Sequence, residues 1–418
     1  MEYLSENTIA YTSKGAMRVM NLSTKLDAHA TGVFTQMSNH KLALEARGVD
    51  VIDLSTGTPD LPPAQHVMDA LIESAKNPLS WRYAIKDKPE LLEAAADWYA
   101  RRFSVTLDPK TQICALMGSQ DGLSHLCMAI CDPGDVVLGP DPGYPIFEMG
   151  ALIANCEYYG VPCREEDGYV MDLSAVPEEV AKRARLIIAS YPSNPTGALA
   201  DRAFYEGLVA FAKKYDIAVL HDNAYCELYA KEEVGSFLAI PGAIEVGVEF
   251  NSLSKSYSMP GCRVGFAVGN SELVGKLSLL KSHVDFGTFF PVQDAAIAAL
   301  RGPQQIVGIN RDAYNERRYA LYEGLKAIGW PIKEPEATMF VWAKLPKGYT
   351  DSAAFAQLMM EKTGVIAVPG IAFGPMGEGH VRFGLVQNVE RIVLAVRRIG
   401  ESGIVTQGVN APSQEANA

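Results

Sequence analysis

Two hydrophobic rhythms alternate through the middle of the chain. Val136-Val137-Leu138, Leu186-Ile187-Ile188-Ala189 and Ile217-Ala218-Val219-Leu220 are short, unbroken apolar runs. Strands covered on both faces read this way, because neither side needs polar residues. Between two of them, Phe204, Leu208, Phe211 and Ala212 recur at helical spacing over 202–215. Lys213 and Lys214 close that stretch, where positive charge suits a helix C-terminus. Strand, helix and strand at this rhythm predict an α/β domain with a mostly parallel sheet and right-handed crossovers. Past residue 301 the pattern changes to a long charged helix over 309–328, then strands at 339–343 and 380–384, which predicts a smaller α+β domain. The expected division is therefore an N-terminal arm that joins the small domain (1–52), a large α/β domain (53–300), a small C-terminal domain (301–400) and a mobile polar tail (401–418).

Composition narrows the function classes. The 418 residues suffice for two domains with a generous core. A formal net charge of -12 repels nucleic-acid phosphates and anionic membrane surfaces, so neither is an expected partner. No apolar run approaches the ~18 residues that span a bilayer, and the polar N-terminus has no signal-like core. The seven cysteines are odd in number and several lie in apolar stretches, which suits reduced core thiols in the cytoplasm. Cys127 and Cys131 have a metal-like spacing, yet no second Cys or His pair follows at zinc-site distance, so no metal is expected.

Chemistry concentrates around Ser252-Leu253-Ser254-Lys255-Ser256-Tyr257-Ser258-Met259-Pro260-Gly261-Cys262-Arg263-Val264-Gly265. A lysine among hydroxyls with an arginine close behind suits an amine that must shed its proton and attack a carbonyl. The alternative is a solvated loop lysine. Asn194, Asp222 and Tyr225 each follow an apolar run, and ligands of open α/β sheets gather at the carboxyl ends of strands. Gly118-Ser119-Gln120-Asp121-Gly122 lies between a strand over 113–117 and a helix expected from Leu123, where backbone N–H groups make a ready anion site.

These segments together resemble the pyridoxal-phosphate-dependent aminotransferases of class I/II, which have the fold type I architecture. The resemblance runs from about Asp53 to Arg398, and the 252–265 segment fits the family's lysine signature throughout. It implies pyridoxal 5'-phosphate as cofactor, bound through an imine to Lys255, which then acts as the acid/base at the substrate Cα. Asp222 would face the pyridine nitrogen, while Tyr225 and Asn194 would bond the phenolic oxygen. Ser119, Gln120, Ser252, Ser254 and Arg263 would hold the phosphate, and Tyr144 would stack on the ring. Arg382 would fork onto the substrate α-carboxylate, with the Gly57 backbone and Asn194 beside it. Tyr83 would reach the phosphate of a partner subunit, which implies a homodimer with shared active sites.

The reaction implied is amino transfer between an L-amino acid and a 2-oxo acid, with glutamate and 2-oxoglutarate as the exchange pair. Tyr257, Gly287-Thr288-Phe289 and the segment over 336–342 resemble alanine aminotransferases. Gly118 to Gly122 and Asp132-Pro133-Gly134-Asp135 resemble LL-diaminopimelate aminotransferases. The chain departs from the family at Asp87, where glycine is usual, at Leu92, where arginine is common, and at Cys262, where tryptophan is frequent. Asp87 and Lys86 are expected near the substrate entrance. The same fold also supports C–S lyases and other cofactor-assisted reactions, and non-catalytic cofactor-binding regulators. The latter carry an added DNA-binding domain, for which the roughly fifty residues before Asp53 offer no helix-turn-helix or basic patch.

Overall fold

The computed structural model describes residues 23–26, 33–231 and 233–407. The expected arm before residue 23 and the tail beyond 407 lie outside the described residues. Among the described residues are twelve strands. They are β1 Ile52–Asp53, β2 Ile113–Leu116, β3 Val136–Asp141, β4 Glu157–Pro162, β5 Ala184–Ser190, β6 Ala218–Asp222, β7 Gly247–Ser252, β8 Gly265–Gly269, β9 Phe340–Lys344, β10 Val365–Ile366, β11 Val368–Pro369 and β12 His380–Gly384.

Seven of them form one sheet in the order β2-β8-β7-β6-β5-β3-β4. β4, β3, β5, β6 and β7 run parallel, and β8 is antiparallel to both of its neighbours. The unbroken apolar runs have a simple cause. Val136 and Leu138 enter one core cluster while Val137 enters another, and Ile187 and Ala189 part in the same way from Leu186 and Ile188. Each strand thus feeds hydrophobic layers on both faces of the sheet.

The helix Arg202–Tyr215 is set by its ends as much as by its apolar face. Asp201 caps it by accepting from Phe204 N at 2.8 Å, and Asp216 leaves it in the left-handed conformation. The helix after β2 begins at Ser119 rather than near Leu123. Gly118, with φ 75°, turns the chain sharply enough to bring three polar residues into the first turn.

The second region is built from a three-stranded antiparallel sheet, β11-β12-β9, and the parallel pair β1-β10. A separate core cluster including Leu54, Tyr314, Leu321, Trp330, Val341 and Phe383 sits under it. The long helix spans Gln305–Ala327. Residues 401–407, expected in the mobile tail, behave otherwise. Glu401 ends a helix, and Ile404–Gln407 forms another whose Ile404 is fully buried against the same cluster. No helix among the described residues is long and apolar enough to cross a membrane.

Ile188 is fully buried at the centre of the sheet. Ile188→Ala will lower unfolding stability by about 2–5 kcal/mol in a urea titration. Arg202→Ala, which removes an exposed pair with Glu206, will change it by less than about 0.5 kcal/mol.

Candidate active site

The parallel strands end side by side. Register pairs Ser190 of β5 with Asp222 of β6, and Asp222 with Phe250 of β7. Asn194 follows β5, Asp222 closes β6, and β7 runs directly into the short helix Leu253–Ser256 that carries Lys255. The helix Ser119–Ile130 starts beside them, and β12 brings Arg382 across from the second sheet. These ends enclose a cavity of about 960 Å³.

Its wall holds Lys255, Asp222, Tyr225, Asn194 and Tyr144. Ser119, Gln120, Ser252, Ser254 and Arg263 also line it, the last packed against Gly118 in a corner beside Ser119, and Gly57 and Arg382 adjoin Lys255 and Asn194. Tyr83 is not on this wall. It is 80 % exposed, with its ring edge-on to Phe286 at 5.8 Å. Asp87 is also turned away from the cavity: its Oδ2 accepts from Ala115 N at 3.1 Å, and burial pushes its carboxyl up.

Electrostatics at the wall are dominated by loss of water. Burial pulls the Lys255 amine down to about 8, helped by the cations Arg382 and Arg263 and opposed by Asp222. Its Nζ donates to Gly57 O at 2.5 Å and lies 5.8 Å from the Tyr225 ring centre. Burial likewise pushes Asp222 up to about 6, against the pull of His221, the Ala224 N–H and Lys255. Asp222 Oδ1 is buried and has no hydrogen-bond partner among the described residues.

Arg382 is the most exacting case. Burial lowers it to about 10, so it remains a cation at neutral pH. Nη1 donates to Asn194 Oδ1 at 2.8 Å and Nη2 to Ser55 O at 3.1 Å, while Nε is buried and unpaired. Its guanidinium lies 4.0 Å from the Phe340 ring centre. No carboxylate among the described residues forms a salt bridge with it.

These observations fit pyridoxal phosphate. An unpaired buried carboxylate oxygen suits a protonated ring nitrogen, and a depressed lysine suits an aldehyde. The corner suits a phosphate, because Ser119 opens a twelve-residue helix and Arg263 supplies the charge. A Cβ on Gly118 would come 2.5 Å from Arg263 Nη2, so glycine is what lets loop and guanidinium share the corner.

Two supports have no sequence signal. Lys281, 5 % exposed, bonds both Asp121 and Asp285, while Asp121 also takes Met117 N at 2.8 Å, which ties the Gly118 turn to a neighbouring helix. Behind Asp222, the fully buried pair His221 and Glu249 meets at 2.9 Å, and Glu249 also takes Tyr99, Ser236 and Phe237 N. Both pairings join positions far apart in the chain.

A mostly parallel sheet with a desolvated lysine and an unpaired aspartate at its strand ends, faced by an uncompensated arginine from a second sheet, belongs to the fold type I pyridoxal-phosphate enzymes. The model of the family "Aminotransferase class I and II" matches residues 49–399, and the chain is a member of that family. It is a pyridoxal-phosphate-dependent aminotransferase acting on amino acids and 2-oxo acids.

Among curated proteins, it is 44 % identical to the LL-diaminopimelate aminotransferase of Moorella thermoacetica, over 88 % of this chain and 94 % of that protein. It is 42 % identical to the protein of the same name from Aquifex aeolicus, over 91 % and 99 %. Among solved structures, substrate-bound BacF of Bacillus subtilis superposes with a TM-score of 0.88 at 34 % identity, covering 91 % of this chain and 98 % of that one. A probable N-succinyldiaminopimelate aminotransferase of Thermus thermophilus gives 0.85 at 38 % identity, covering 89 % and 100 %.

In cofactor-free protein, Lys255 will react with an amine-directed reagent as pH rises through about 8, because the neutral form prevails above that value. Pulse labelling read by peptide mass spectrometry measures it. Exposed lysines will need a pH near 10.4, and a midpoint for Lys255 in that range would contradict the desolvated environment.

Proposed function

We propose that Lys255 is the catalytic base and acid at the substrate Cα, and the group that anchors the cofactor aldehyde. The carrying observation is Arg382. A buried guanidinium with no carboxylate partner, in the same cavity as Lys255 and Asp222, is matched to an incoming α-carboxylate. That contact orients the substrate so that its Cα lies within reach of the Lys255 amine. When bound, pyridoxal phosphate supplies the electron sink that makes Cα proton removal feasible.

Each remaining residue has a physical task. Asp222, desolvated but free at Oδ1, keeps a ring nitrogen protonated. Asn194 already spends its oxygen on Arg382, so its amide N–H₂ is left to donate to a ring oxygen, together with Tyr225. Tyr144, whose hydroxyl meets Gln120 Oε1 at 3.2 Å, offers its ring face. Ser119, Gln120, Ser252, Ser254 and Arg263 hold the phosphate. Gly57 places its backbone beside the substrate carboxylate, where a Cβ would meet Phe340 at 2.9 Å.

The exposed rim of Trp81, Tyr83, Ile85 and Phe286 supports a homodimer in which Tyr83 serves the neighbouring site. Seven free cysteines support a reducing, cytoplasmic setting. For the substrates, we favour glutamate/2-oxoglutarate exchange with LL-diaminopimelate over alanine, on the strength of the relatives that carry the former name. The departure at Asp87 does not weigh against this, since that side chain faces away from the cavity.

Incubation of the protein with pyridoxal phosphate, LL-diaminopimelate and 2-oxoglutarate will yield glutamate, and parallel mixtures with alanine will yield less. Lys255→Ala will reduce turnover by at least about 10³-fold without unfolding the protein. Release of ammonia and pyruvate from a cysteine-like substrate, with no glutamate from any amino acid, would assign a lyase instead. An active Lys255→Ala variant would remove the lysine from its role.

A further inference from the structure

We infer that Lys41 receives the second, distal carboxylate of a dicarboxylic substrate. This rests on the reading that Arg382 holds the α-carboxylate in the Lys255 cavity.

The helix Val33–Ala46 lays Met37, Ser38 and Lys41 along the cavity wall. Lys41 lies three positions from Ser38 and four from Met37, spacings that fall on a single helical face. Lys41 Nζ donates to Asp53 Oδ2 at 2.8 Å, and its side chain is 33 % exposed. An ammonium has three protons, so Lys41 keeps donors to offer once Asp53 is satisfied.

Asp53 does not have the same freedom. Its Oδ1 accepts from Ser55 N at 2.9 Å and from Ser55 Oγ at 2.6 Å. Burial pushes its carboxyl up, yet the bonds from Lys41 and Ser55 outweigh it and hold Asp53 below the usual range. Asp53 is therefore the anchor and Lys41 the arm.

The same short segment organises three cations. Lys41 rests on Asp53, Arg382 Nη2 on Ser55 O, and Lys255 Nζ on Gly57 O. Residues two apart are separated by at most about 7 Å of backbone. The two carboxyl carbons of a five- to seven-carbon diacid lie roughly 5–8 Å apart when extended, from C–C bonds of about 1.5 Å. The Arg382 and Lys41 supports thus lie within one short stretch of chain, on the length scale of a diacid. A substrate with a short apolar side chain gives Lys41 nothing to bond. The cavity charge has the matching sign: Lys41, Lys255, Arg263 and Arg382 line it against the two carboxylates Asp53 and Asp222, a surplus that favours an anionic occupant.

The test compares Lys41→Gln and Lys41→Arg with the parent holoenzyme. Calorimetry with the unreactive acids glutarate, pimelate and propionate reads binding without turnover. Lys41→Gln will weaken the better-bound diacid about 10- to 100-fold, the range of a hydrogen bond to a charged group, and leave propionate unchanged. Lys41→Arg will recover most of the loss. In kinetics, Lys41→Gln will raise KM for the dicarboxylic amino acid with kcat within about twofold, and leave KM for alanine unchanged. Equal weakening of diacid and monoacid, or no weakening of either, would overturn the assignment. Failure of transamination itself would appear differently, as absent turnover in the parent enzyme while the diacid preference in calorimetry persists.

Discussion

The structure depends on charges kept from water at one end of a sheet. Lys255, Asp222 and Arg382 are each displaced from their ordinary titration ranges by burial first, with neighbouring charges second. Holding charged groups in such a place costs several kcal/mol apiece unless partners compensate. The cavity leaves that compensation incomplete. Among the described residues, Asp222 has an unpaired oxygen, Arg382 an unpaired nitrogen and no carboxylate, and Lys255 a hydrogen bond to a backbone carbonyl alone. We propose that the cofactor and the substrate complete the set, so that binding and catalysis draw on the same electrostatic deficit.

The fold makes this arrangement affordable by placing it where backbone geometry already converges. Adjacent parallel strands end in register, so residues following β5, β6 and β7 meet without long loops. Gly118 and the left-handed Arg263 (φ 50°) shape the anion corner. Arg382 comes from a different sheet and bonds both Asn194 and Ser55, so the carboxylate site exists only when the two regions are joined. The buried pairs Lys281–Asp121 and His221–Glu249 brace the loop before Ser119 and the strand that ends in Asp222.

Much of this was legible from residues near one another in the chain. The apolar runs marked strands with two covered faces, and the groups after them marked strand ends. Arg382 stood in a recognisable strand, and its place in the cavity followed only from the family resemblance. What stayed hidden depends on contacts distant in sequence or on side-chain direction. Lys41 lies in a helix with no distinguishing pattern, and only the fold brings it to Asp53 and the cavity. Lys281 reads as an ordinary helix lysine until it is found 160 positions from its partner Asp121. Asp87 was expected at the entrance but turns inward to satisfy a backbone N–H. Residues 401–407 read as the start of the polar tail, yet Ile404 is buried in the second core.

Borohydride reduction of the protein loaded with pyridoxal phosphate, followed by proteolysis and mass spectrometry, tests the central claim most directly. The account predicts a pyridoxyl mass on the peptide containing Lys255, in close to one-to-one yield, with loss of the label in Lys255→Ala. A label on another lysine, or one spread over many exposed lysines, would contradict it.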